Sequence, residues 1–194
     1  MSSGTAPDAW LQDPESLIAE ARAAISLGEA LNWPQLLQNI GASFPRSAVA
    51  SDQTVEGVRD LLQSEMFQSL EGSWNLPHFL LTNWQWLSPE GRNLLREPIA
   101  GSFDLLSNWM GAFVAGEILG ECYCDPWSMR RLATLSKSAR MPARSLVPHA
   151  LECFAKTTPA AELREEAIDL LQELTSDSEK AVRDEASESL FRLG

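Results

Sequence analysis

Cysteine, histidine and basic side chains are all scarce in this chain of 194 residues, and each shortage closes off a class of function. Three cysteines, an odd number, give no disulfide framework, which fits a reducing cytoplasm. Nucleophilic catalysis needs a base poised beside the nucleophile. Only His78 and His149 are present, and neither lies in a recognisable nucleophile context. No Gly-x-Ser-x-Gly, Walker or Rossmann glycine pattern occurs. Lys and Arg number 15 against 27 Asp and Glu, for a net charge of -12 and a pI near 4.6. Charge of that sign repels phosphate backbones and disfavours general nucleic-acid binding. Long apolar runs are also missing. The longest stretch, Trp109–Leu119, is interrupted by Glu117 and too short to span a bilayer, so it reads as a buried core helix. No basic region precedes Asp8, Asp13 and Glu15, so the start does not read as a signal peptide.

Apolar residues are plentiful at 44%, enough for a sizeable core, and charged residues at 22% are ordinary for a globular protein. Residues 1–8 read as a flexible start. Beyond them the punctuation is that of helices. Asp13-Pro14, Ser88-Pro89 and Asp125-Pro126 each set a capping side chain before a proline. The side-chain oxygen accepts an otherwise unpaired N–H, and proline at the first helical position forfeits no bond. These marks predict helices at 14–30, 34–41, 53–71, 77–87, 89–96, 98–121, 126–138, 143–156, 160–175 and 178–193. Leu163, Ala167, Leu170, Leu171 and Leu174 recur at helical steps, and no stretch alternates convincingly with period two. The expected fold is all-α, with short connections and antiparallel neighbours.

The C-terminal third repeats itself. Leu163–Leu174 aligns without gaps on Val182–Leu193 at an offset of 19 residues. Arg164 and Ala167 fall on Arg183 and Ala186, and Met129-Arg130-Arg131-Leu132-Ala133 supplies a third Arg-x-x-Ala opening. The pattern resembles the HEAT repeat family, in which a turn leads into a helix opening with Val-Arg, then a small Ala, then leucines. The segment Leu146–Leu151, with Pro148 inside, looks like a first helix of such a repeat. The resemblance implies antiparallel hairpins stacked as a short HEAT-like α-solenoid over residues 125–194. It also implies a small Ala where helices approach closely, and an Arg reaching the turn carboxylates Asp177 or Glu179 from Arg183. Residues 9–124 carry only faint echoes, such as Val58-Arg59-Asp60-Leu61-Leu62, and read as an N-terminal helical region of degenerate repeats or a bundle.

Charge and tryptophan mark the candidate binding residues. Residues 127–159 hold six basic groups and a single acidic one, between two acidic regions. Arg130, Arg131, Lys137, Arg140 and Arg144 read either as a solvated face paired with neighbouring helices or as a docking patch for an acidic partner. Of seven tryptophans, Trp84 and Trp86 are two apart and cannot both face a core squarely from a helix, so the pair is the best candidate for an exposed aromatic site. Cys122, Cys124, His149 and Cys153 would make a zinc set, but Cys-x-Cys is unusual spacing and core packing is the favoured reading, so no metal or cofactor is expected. Carboxylates such as Glu165, Glu166 and Asp169 read as a solvated helix face.

The expected function is a non-catalytic protein-protein interaction module in the cytoplasm, a scaffold or regulatory domain of a larger assembly. The alternative is an acidic inhibitor or immunity-type protein that neutralises a basic enzyme such as a nuclease. A DNA-glycosylase-like enzyme has only the basic residues and Trp127 in its favour.

Overall fold

A computed structural model describes residues 13–28, 31–105 and 109–194. The expected flexible start and Trp10 lie outside these residues, as do the last two positions of the first expected helix. Every regular element among the described residues is helical, and none is long and apolar enough to cross a membrane.

Helix α1 (Pro14–Leu27) closes on Gly28, whose φ of 65° turns its N–H back to the carbonyls of Ala24 and Ile25. Helix α2 (Trp33–Ala42) starts from Asn32, and α3 (Asp52–Gln63) from Ser51. The single helix expected over 53–71 is broken. Ser64 is extended, and its Oγ accepts the N–H of Phe67 at 3.3 Å, starting a second helix, α4 (Glu65–Gln68). Helix α5 (Asn75–Thr82) is followed by a 3-10 turn, Trp84–Trp86, where the sequence predicts continuous helix to 87.

Helix α6 (Pro89–Leu105) runs through Pro98, where a break is expected. Leu95, Ile99, Ala100 and Phe103 are all buried on one face across that proline, and their burial outweighs the bond that proline cannot make. Helix α7 (Trp109–Glu117) widens into a π-helical segment, Ile118–Tyr123, which ends at Cys124 with φ of 45°. The chain finishes with α8 (Pro126–Leu135), α9 (Met141–Thr157), α10 (Ala161–Leu174) and α11 (Lys180–Leu193). Two of the three capping pairs bond as expected. Ser88 Oγ accepts from Gly91 at 3.0 Å, and Asp125 forms a reciprocal box with Ser128. Asp13 precedes its helix without such a bond.

The helices stack in sequence. Helices α2, α5, α7, α9 and α11 touch one another in that order and make one layer. Helices α1, α3 and α6 pack in order beside it. Helix α8 is joined to α6 through side chains and packs on α10, which extends this second layer. A contiguous buried core runs from Leu17 to Ala186. Close approach within the first layer and between the two layers rests on glycine. A Cβ on Gly120 would stand 2.4 Å from the Ala150 carbonyl oxygen of α9, and one on Gly116 would stand 2.7 Å from the Phe103 ring.

The two aligned C-terminal segments become α10 and α11, with Ala167 and Ala186 fully buried in both. Their arginines do equivalent work. Arg164 donates to the carbonyls of Ala155 and Thr158, both at 3.0 Å, and Arg183 to those of Asp177 at 2.6 Å and Ser178 at 2.8 Å. Arg183 therefore takes turn carbonyls, not the carboxylates expected. The third copy differs, because Ala133 is only half-buried and Arg130 is exposed.

Candidate functional site

The expected aromatic pair is split by the turn that carries it. Trp86 is 2% exposed, packs edge-on against Phe79 at 5.1 Å, and donates its indole N–H to Ser47 Oγ at 3.3 Å. It packs in the core and is not the exposed aromatic residue expected. The tight 3-10 turn sends Trp84 the other way, half-buried, onto the edge of Tyr123 at 5.0 Å.

Trp84 opens a ladder of rings and guanidinium groups that joins α6 to α8. Arg92 lies over Trp84 at 5.6 Å. Arg96 is held between the rings of Tyr123 and Trp127, 5.0 Å from each, and pairs with Asp125 at 2.6 Å. Glu97 accepts from the Trp127 indole at 3.1 Å and from Arg131 at 3.2 Å. Tyr123 donates to the Arg92 carbonyl at 2.7 Å. The sequence gives no sign of this ladder, because its members come from three separate stretches of the chain.

Three members of the basic island form internal pairs. Arg131 is committed to Glu97, Lys156 to the buried Glu152 at 2.6 Å, and Arg144 to Asp177. Arg144 Nη2 donates to both Asp177 oxygens at 2.6 Å, which holds that carboxyl below the usual range. Arg130, Lys137 and Arg140 of the expected patch are exposed.

The thiols and imidazole do not converge on a metal. Among the described residues no group of three or more His, Cys, Asp or Glu side chains is arranged to hold one. Cys153 Sγ stands 3.6 Å from His149 Nε2, and Cys124 Sγ points to the Phe154 carbonyl at 3.6 Å. His149 stacks on Phe113, 4.3 Å between centroids. Burial, reinforced by Glu121, pushes the Cys122 thiol up to about 12. Burial and the same carboxylate raise the Cys153 thiol as well. Thiols held protonated are poor nucleophiles.

The surface itself is shaped by the second layer. Depressions open between its neighbours: one of about 500 Å³ between α1 and α3, one of about 650 Å³ between α6 and α8, and one of about 450 Å³ between α8 and α10. The last is chemically distinct. Glu162, Glu165, Glu166, Asp169 and Glu173 line it, and its apolar lining is Ala133 and Leu170 with the fully buried Met129. Lys137 lines both this groove and the α6–α8 one. No cation pairs with these five carboxylates among the described residues. The single basic residue of α10, Arg164, is turned away onto the carbonyls before the helix. Like charges three or four apart on a helix cost roughly 0.2–0.5 kcal/mol per pair, so the row is kept against a local penalty. The sequence shows these carboxylates as a solvated face. What it does not show is the groove at their foot, which needs α8 to lie alongside.

No protein-family model matches the chain, no curated protein matches it, and no solved structure matches it.

Proposed function

We propose that this chain is a non-catalytic protein-interaction module, built as a short HEAT-like α-solenoid and binding its partner through the grooved face of the second layer. The carrying observation is the ordered stacking of helices α2, α5, α7, α9 and α11 beside a second layer whose neighbours leave grooves between them. Stacked helix pairs create extended surfaces that receive partners along their length. The buried Ala167 and Ala186 and the turn-binding Arg164 and Arg183 support the repeat reading. The three free cysteines suit a reducing cytoplasm.

The test is capture of a stoichiometric partner from native extract with the full chain, followed by hydrogen exchange on the isolated complex. Protection confined to α3, α6, α8 and α10 supports the reading. Protection confined to α5, α7, α9 and α11, or no partner at all, refutes it.

A second reading, an acidic inhibitor of a basic enzyme, draws on the net charge of -12 and the unpaired row on α10. It requires an enzyme partner whose activity stops on binding, and a captured partner without catalytic activity dismisses it.

A further inference from the structure

We infer that the α8–α10 groove seats a basic amphipathic helix of the partner protein. The inference rests on the module reading above and adds the occupant. Carboxylates alone would be a solvated helix face. Here they share a groove with the half-buried Leu170 and Ala133, its apolar base, and with the fully buried Met129. Both halves of the groove therefore have a demand that the chain leaves unmet. The five carboxylates pair with no cation among the described residues, and Leu170 and Ala133 keep part of their surface exposed.

Charge complementarity selects the occupant's sign, and the base selects its character. From Glu162 to Glu173 the wall runs along α10 for about 16 Å, or three helical turns. A helix of that length, with Lys or Arg on one side and Leu on the other, meets the wall and covers the base at once. A polyamine would satisfy the wall and leave the base wet. Lys137 also lines the groove, so the occupant's positive charge meets a like charge there.

The probe is a fluorescein-labelled peptide of about four helical turns, basic on one face and leucine-bearing on the other. It is titrated into the full chain by anisotropy, beside a scrambled isomer and spermine. The expected result is binding about tenfold tighter than the scramble, weakening with salt. E165K/E166K/D169K should lose about tenfold with an unchanged helical spectrum, and E165Q/E166Q/D169Q should lose less in the same direction. The neutral triple also serves if the reversed one fails to fold. L170S should weaken binding without changing its salt slope. Equal binding by the triple variants would place the peptide elsewhere and overturn the inference. Equal binding of scramble or spermine would reduce the wall to a general sink for cations, and no binding by the native chain would also overturn it. Extract capture separates the two levels. A partner retained by the triple variant defeats the groove and leaves the module standing, whereas no partner for the native chain defeats the module.

Discussion

Arg192, near the end of α11, donates its Nε–H to Glu152 of α9 at 2.7 Å, across 40 residues of sequence. Glu152 is 3% exposed and accepts from Lys156 as well, at 2.6 Å. Burial by itself would raise this carboxyl, but Lys156 and Arg192 outweigh it and hold the pKa below the ordinary value. Arg192 also reaches Glu185 and Glu188, both at 2.8 Å, so one guanidinium ties α11 internally and to α9.

Glu152→Gln should destabilise the chain by about 2 kcal/mol near neutrality, the scale of charge-assisted hydrogen bonds. Because the folded pKa is depressed, this stabilisation is present above the unfolded value of roughly 4.3 and is lost as pH falls through the folded one. Urea melts of both forms across that range should converge at acid pH. A gap that stays constant would show that packing, not charge, holds Glu152.

Arg144 and Arg130 should separate under the same substitution. Arg130→Glu changes an exposed side chain and should leave the melting temperature nearly unchanged. Arg144→Glu breaks the pairing with Asp177, whose carboxylate also accepts the Glu179 N–H at 2.8 Å just before α11. Hydrogen exchange in the first turn of α11 should rise for Arg144→Glu alone.

Glycine substitutions should have opposite signs at two positions. Gly120→Ala drives a Cβ into the backbone of α9 and should cost about 1–3 kcal/mol by overpacking. Gly101, inside α6, has nothing within 4 Å of a built Cβ, so Gly101→Ala should stabilise by about 0.5–1 kcal/mol. Thermal melts of the two variants decide it.

Arg96→Lys should fail to rescue Arg96→Ala. The planar guanidinium stacks between Tyr123 and Trp127 while pairing with Asp125, and an ammonium cannot do all three. Both variants should loosen α8 from α6, seen as faster exchange in α8.

Ala167→Arg would force a long charged chain into a fully buried position and should unfold the C-terminal helices. Circular dichroism that stayed native would contradict the close contact of α10 with its neighbours.

Most helices were legible in the sequence because their signals are local. Ser88 and Asp125 cap where a proline follows, and the apolar steps of α10 mark its inward face. The misses share a cause. Pro98 was a reasonable stop until the buried Leu95, Ile99 and Phe103 on either side of it are seen to pack as one face. Ser64 was hidden inside an apolar period although it caps a new helix. Trp86 reads as a candidate site from a regular helix, whereas the 3-10 turn points it into the core.

The sequence by itself determined an all-helical chain, its strong acidity, and an Arg-x-x-Ala opening shared by two helices of equal register. Those properties follow from composition, capping chemistry and helical period, which act over a few residues. Only the tertiary structure decided which arginines are consumed by Asp177, Glu97 and Glu152, and that a row of carboxylates on α10 stands over a groove. Ion pairs and grooves join residues that lie tens of positions apart, so they come into being only when the helices stack.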